Sequence, residues 1–265
     1  MSRLCWGSVL LVVLLGSQAG RAAISPDSPL TQVKTVTAGE TYRGTIAIRN
    51  TGDTAAEVKI YQTDYRFWAD GRDEFGPPGG LTRSNAKWIR LSQEQLSVLP
   101  HDRGRVDYEV NVPGDAVLVG TYWSAIMIEE VTASEDHAPR RNEAQLREVV
   151  RYALQVITEI GETGKGEIAF RDARLTKEKG GRVFIVDIEN TGERWLQTNV
   201  WLELRDGDGH PAGRFAGPRL RTFPGTSVRN RIDLSAASPG KYLALLVADG
   251  GHDDLFGAQI DLDLR

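Results

Sequence analysis

Apolar and polar residues alternate along most of this 265-residue chain, the period expected of strands with one face buried. Within 42–50, Ile46 and Ile48 share one face, while Thr45, Ala47 and Arg49 take the other. Read this way, the pattern predicts strands at 33–37, 42–50, 57–67, 88–91, 95–99, 105–112, 121–131 and 148–160. A second series follows at 167–175, 182–190, 196–205, 219–223, 226–234, 242–249 and 255–264. Gly, Pro, Asn and Asp punctuate both series, and the helical period is weak apart from a candidate turn near 142–147. Short strands at this spacing predict an all-β chain.

Two motifs recur and divide the chain. Gly120-Thr121-Tyr122-Trp123-Ser124 returns as Gly240-Lys241-Tyr242-Leu243-Ala244, each time after a loop carrying Pro-Gly. Upstream, Asn50-Thr51-Gly52-Asp53 returns as Asn190-Thr191-Gly192-Glu193. The fold class this predicts is two tandem immunoglobulin-like β-sandwiches, in which a tyrosine closes a corner two residues before a core position. The hydroxyls of Tyr122 and Tyr242 should then bond nearby backbone. Antibody domains put a cysteine at that core position. Here it falls on Ser124 and Ala244, so each core has to hold by packing alone.

The expected sandwiches cover 31–160 and 167–265, after a loose lead-in at 20–30, with a Gly-rich hinge at 161–166 between them. Asn50 and Tyr122 are 72 positions apart, but Asn190 and Tyr242 only 52, so the first sandwich carries about 20 extra residues. We place them in an inserted loop at 68–84, rich in Gly, Pro and charge. Long loops in compact domains are uncommon and often functional.

Composition narrows the function classes. Arg3, a largely apolar run over 4–15 and Ser17-Gln18-Ala19 read as a secretory signal peptide over 1–19, cleaved from the mature chain. That run is shorter than the roughly 20 residues a membrane helix needs, so no transmembrane anchor is expected in the mature chain, and a periplasmic or secreted location follows. The single cysteine, Cys5, lies inside the signal, which removes disulfides, thiolate metal ligands and a thiol nucleophile. Acidic residues number 36 against 32 basic ones, well mixed, so nothing points to nucleic acid.

Catalytic patterns are missing. There is no Gly-x-Ser-x-Gly elbow, and Glu129-Glu130 and Asp253-Asp254 are neighbours on strands or turns, so their side chains point apart. Asp206-Gly207-Asp208-Gly209-His210 departs from a calcium loop, because Gly217 stands where the twelfth-position Glu is needed. It reads as a hairpin turn. His101, His137, His210 and His252 lack zinc spacing. No enzyme, metal or cofactor is expected.

A binding role is the alternative. On 57–67, Tyr61, Tyr65 and Phe67 share the parity opposite to Val58 and Ile60, which predicts an outward aromatic row. Trp68, Arg72 and Phe75 in the inserted loop are hot-spot residue types. Together these six are the candidate partner-binding residues. The alternative is that the insertion or the second sandwich folds over the row and buries it, since Trp68 and Phe75 sit in the segment that would cover it.

The series Trp88-Ile89-Arg90-Leu91-Ser92, Leu96-Ser97-Val98-Leu99-Pro100, Arg105-Val106-Asp107-Tyr108, Val112-Pro113 and Gly120-Thr121-Tyr122-Trp123 resembles the N-terminal domain of periplasmic pilus-assembly chaperones of the PapD type. The resemblance covers about half the chain. It implies a chaperone-like, non-enzymatic protein that binds an envelope or surface protein, with a fimbrial subunit as the family's own partner. It also implies a basic pair anchoring a subunit's C-terminus, which maps to Lys34 and Arg151, and a donor strand within 149–159. There one face is Val150, Tyr152, Leu154 and Val156; the other is Val149, Arg151, Ala153, Gln155 and Ile157, more polar than the family pattern. Rival readings are a carbohydrate- or cell-wall-binding module using the aromatic row, and a structural spacer.

Overall fold

The computed structural model describes residues 24–114, 117–131, 150–178, 181–251 and 253–265. The signal segment, Cys5, the candidate turn at 142–147, His137 and His252 lie outside the described residues. The chain is all-β. Its first half holds β1 (Ile24–Pro26), β2 (Thr31–Val36), β3 (Thr41–Asn50), β4 (Ala56–Phe67), β5 (Asp73–Gly76), β6 (Ile89–Leu91), β7 (Gln95–Val98), β8 (Arg103–Asn111), β9 (Gly120–Val131) and β10 (Arg151–Ile160). The second half holds β11 (Ile168–Glu178), β12 (Gly181–Asn190), β13 (Leu196–Arg205), β14 (Pro211–Ala216), β15 (Leu220–Thr222), β16 (Ser227–Asp233), β17 (Lys241–Asp249) and β18 (Leu255–Asp263).

Strand pairing stays within each half. In the first, a sheet ordered β1-β3-β8-β6 faces one ordered β2-β10-β9-β4, whose β4 also carries β5 and β7. Ile46, Ile48, Val106 and Val110 from one sheet meet Ile60, Ile126, Ile128, Leu154 and Val156 from the other in one buried cluster. In the second half, β11-β12-β16 faces β14-β13-β17-β18, with β15 on β13. Phe184, Val186, Ile188 and Ile232 there meet Leu202, Leu204, Ala244 and Leu246. Alternation put Ile46 and Ile48 inward, and both are fully buried.

The repeated Asn-Thr-Gly motif has a physical reason. Asn50 is fully buried at the end of β3, donates Nδ2 to Thr54 O and Val98 O, and accepts Gly52 N–H on Oδ1. Asn190 repeats this at the end of β12, donating to Arg194 O and Thr222 O and accepting Gly192 N–H. One amide thus satisfies three backbone groups where a strand leaves its sheet, groups that burial would otherwise leave unpaired.

The two Gly-x-Tyr copies diverge. The Tyr242 hydroxyl donates to Ser238 O at 3.0 Å, the corner expected. Tyr122 is held by its ring instead, 4.8 Å from that of Trp88 and under Arg83. Ala244 lies in an apolar core, but Ser124 does not hold by packing alone. Its hydroxyl donates to Asn85 Oδ1 at 2.5 Å, and Asn85 Nδ2 donates to Val156 O and Thr158 Oγ1. A fourth bond joins Thr158 Oγ1 to the Tyr42 hydroxyl, so a buried polar chain runs through the first core.

Other departures follow from non-local pairing. The lead-in carries β1, paired with β3. The region 68–84 is largely a hairpin arm: β5 pairs with Asp64–Phe67 of β4. Asp64, almost fully buried, then gathers the return path by accepting Gly79 N–H, Leu81 N–H and the Ser84 hydroxyl. Strand β14, opened by Pro211, was not predicted at all.

Candidate functional site

Strand β10 leaves part of its sheet edge open among the described residues. It pairs with β9 along its whole length, from Arg151 opposite Glu129 to Ile160 opposite Gly120. On its other side β2 runs parallel to it, but only from Gln155 opposite Thr31 to Ile160 opposite Val36. Gln155 N–H donates to Leu30 O at 2.8 Å. Alternate residues of a strand send their N–H and C=O to the same side, so Ala153 and Arg151 also point theirs away from β9. No strand pairs with that side of 151–154 among the described residues. Two faces flank this edge: Leu154 and Val156 lie in the core with Tyr152 packed against them, while Arg151, Ala153 and Gln155 face outward.

Some other edges are poorer templates, although β18, nine residues in unbroken register at the end of its sheet, is also open on one side among the described residues. Strands β1 and β6 have three residues each. β11 is interrupted by a register shift between Arg171 and Arg174, where Asp172 takes φ +46°. Bulges and short lengths are ways in which sheets blunt their edges.

The outer face of the β9/β10 sheet is not free along its whole length. Register places Lys59, Glu129 and Arg151 in one row and Tyr61, Met127 and Ala153 in the next. In these rows Arg151 pairs with Glu129 at 3.0 Å, Glu129 accepts the Tyr61 hydroxyl at 2.9 Å, and Lys59 lies over the Tyr61 ring. Burial and the Glu129 carboxylate raise the Tyr61 pKa. Further along, the second half packs down on this face. The Phe223 ring stacks on Trp123 at 4.9 Å with 9° between planes, and Ile157, Phe67 and Trp195 complete that cluster.

Polar bonds hold the same seam. Thr121 N–H donates to Glu193 O, Trp195 N–H to Thr121 Oγ1, and Trp195 Nε1 to Glu159 Oε1. The Gly120 Cα belongs to this contact. It has φ +72°, and a Cβ there would lie 2.2 Å from Glu193 O, so the motif's glycine is required by the neighbouring half. The linker expected to be a hinge is bonded too: Lys165 O accepts Glu193 N–H and Arg194 N–H, and Glu167 O accepts Thr191 N–H and Gly192 N–H.

The sequence-derived candidates separate into three places. Tyr61 stays half-buried beside the open edge. Tyr65 stacks under Phe75 at 4.9 Å, and Phe67 lies in the seam, 6.0 Å from Phe223, so both are partly covered and half-buried like Tyr61. Trp68 and Arg72 form the hairpin tip, with the guanidinium groups of Arg66 and Arg72 5.2 and 5.1 Å from the Trp68 ring. Next to them Ala69 N–H donates to Ser227 Oγ of the second half. Lys34 and Arg151 do not converge. Lys34 pairs opposite Thr158, seven residues along β10 from Arg151, which is about 23 Å at strand rise and on the opposite face.

Arg221 was missed by sequence reading. It reaches from β15 to donate Nη1 to Thr31 Oγ1 at 2.9 Å and Gln155 Oε1 at 3.0 Å. Burial lowers its pKa. Its local sequence, Arg219-Leu220-Arg221-Thr222, carries no mark that sets it apart from other arginines.

Asp206, Asp208 and His210 lie close together on the β13–β14 turn. There Asp206 Oδ1 accepts the N–H groups of Asp208 and His210, so the turn accounts for the acidic pattern. Those backbone bonds hold the Asp206 carboxyl below its ordinary pKa.

No family model matches the sequence, and no curated protein matches it. Among solved structures the chain is similar to a chain of a chaperone–tip adhesin complex of CFA/I fimbriae, at 8% identity and a TM-score of 0.49, covering 90% of this chain and 98% of that one. It is similar to the class 5 fimbriae chaperone CfaA at 8% identity and 0.46, over 89% and 98%. A third likeness is to a chain of the CsuC–CsuE chaperone–tip adhesion subunit pre-assembly complex of Acinetobacter baumannii, at 13% identity and 0.45, over 89% and 98%. No helix among the described residues is long and apolar enough to cross a membrane.

Proposed function

We propose that this chain is a non-enzymatic, chaperone-like protein of two tandem immunoglobulin-like sandwiches that binds an extended segment of another protein along β10. The observation that carries this is the register of β2. It covers β10 from Gln155 onward and leaves the outward N–H and C=O groups of Arg151 and Ala153 without a strand partner among the described residues. An unpaired edge on a long, well-anchored strand is a template for strand addition, in which main-chain bonds supply affinity and flanking side chains supply selectivity. A strand laid there meets Tyr152 and Leu154 on its inner side and Arg151 on its outer side. The partner class is therefore an extended segment alternating apolar and polar residues. A fimbrial subunit in the periplasm is the partner to try first.

The polysaccharide reading is less favoured, because Tyr65 and Phe67 are half-buried against Phe75 and Phe223. Co-expression with fimbrial subunits and co-purification tests the proposal. Ala153→Pro removes the outward N–H at an edge, where proline is tolerated, and should abolish co-purification while the protein stays folded. Undiminished co-purification, or exchange protection on β18 instead of 151–154, would refute the edge assignment.

A further inference from the structure

Arg221 is the side chain of the second half that touches the pairing edge itself. Its two acceptors, Thr31 and Gln155, are the residues opposite each other at the first rung of β2 on β10. Thr31 Oγ1 donates to Gln155 Oε1 at 3.3 Å, so the three side chains close on one another. The guanidinium lies 5.0 Å from the centre of the Trp195 ring, and Trp195 is fixed in turn by Glu159 and Thr121. No carboxylate lies within ion-pair distance of Arg221 among the described residues, and its Nε is buried without a hydrogen-bond partner. A cation desolvated against neutral groups recovers little of its hydration energy, so stability alone does not account for its position.

We propose that Arg221 is a positioning residue that latches the first rung of β2 onto β10, and so sets how much edge a partner strand finds. This rests on reading β10 as the pairing edge. With the rung held, the open stretch is 151–154. With the rung freed, Gln155 N–H is released from Leu30 O and the edge lengthens by one two-residue repeat of outward groups. The latch sits on β15, immediately before Phe223, whose ring stacks on Trp123. A displacement of the second half against the first therefore moves the latch, and the length of the edge is tied to the seam.

Hydrogen exchange on the full chain tests this without any partner. Arg221→Gln should raise exchange at Gln155 N–H about tenfold through local opening, with the amides of Ile126 and Val106 unchanged. Thr31→Val removes the one acceptor of Arg221 that lies on β2, at a half-exposed edge position and with little change of shape, and should reproduce the effect even where Arg221→Gln folds poorly. Unchanged exchange at Gln155 in Thr31→Val overturns the latch. So does an increase spread over both halves, which would report general loosening. The outcome is separable from that of Ala153→Pro, because capture can fail while the rung still opens as described.

Discussion

Removing the Asn85 side chain is the sharpest test of how the first half coheres. Asn85 is fully buried. Its Oδ1 accepts the Ser124 hydroxyl at 2.5 Å, and its Nδ2 donates to Thr158 Oγ1 at 2.8 Å and to Val156 O at 3.1 Å. Asn85→Ala deletes three bonds at about 1 kcal/mol each and leaves buried groups unsatisfied, each of which costs about 1–3 kcal/mol when no water reaches it. Because the Thr158 hydroxyl keeps the Tyr42 hydroxyl as a partner and the Val156 carbonyl faces Ser124 in the ladder with β9, the stranded group is chiefly the Ser124 hydroxyl. The expected loss is about 3–5 kcal/mol, a large share of the 5–15 kcal/mol typical of a domain. Urea unfolding followed by tryptophan emission should show the midpoint fall with an unchanged slope for the first transition. Ser124→Ala alone should cost less. Added to Asn85→Ala it should cost almost nothing further, giving a coupling of about 1 kcal/mol or more in a double-mutant cycle. A loss below about 1 kcal/mol for Asn85→Ala, or strict additivity with Ser124→Ala, would refute the buried network.

Two further outcomes follow from the tyrosines. Tyr242→Phe should cost about 0.5–1 kcal/mol, the low end for a bond to Ser238 O at an exposed corner, while Tyr122→Phe should be near neutral because its ring makes the contacts; equal losses in urea unfolding would contradict the divergence of the two copies. Burial pushes the Tyr42 hydroxyl up to about 12, so the fold disfavours its ionised form. Its contribution is intact below pH 10 and lost as pH climbs from 10 toward 12, about 2–3 kcal/mol in all. Burial raises Tyr108 as well, so Tyr42→Phe should flatten only part of the alkaline fall measured by unfolding between pH 9 and 12. A profile identical to the parent's would contradict the assignment.

Much of the fold was legible because strand faces and turns are written locally. Period-two alternation put Ile46, Ile48, Val58 and Ile60 inward, and all four are buried. Asn50 and Asn190 announced themselves as a repeat because one amide solves the same backbone problem twice. The open edge was not legible in the same way. Alternation says which face of β10 is apolar, but nothing within residues 151–160 says that β2, more than a hundred residues earlier, runs parallel beside it and stops at Gln155. That the inserted segment or the second half folds over Tyr65 and Phe67 was an alternative the sequence offered, but the contacts by which they do so were not readable. Their parity was readable, yet Phe75 reaches them through a hairpin and Phe223 from the other half of the chain. Strand identity and side-chain parity depend on neighbours a few residues away, and the sequence by itself determined them. Register, edge exposure and the seat of Arg221 depend on which distant segments meet, and only the packing of the whole chain decided those.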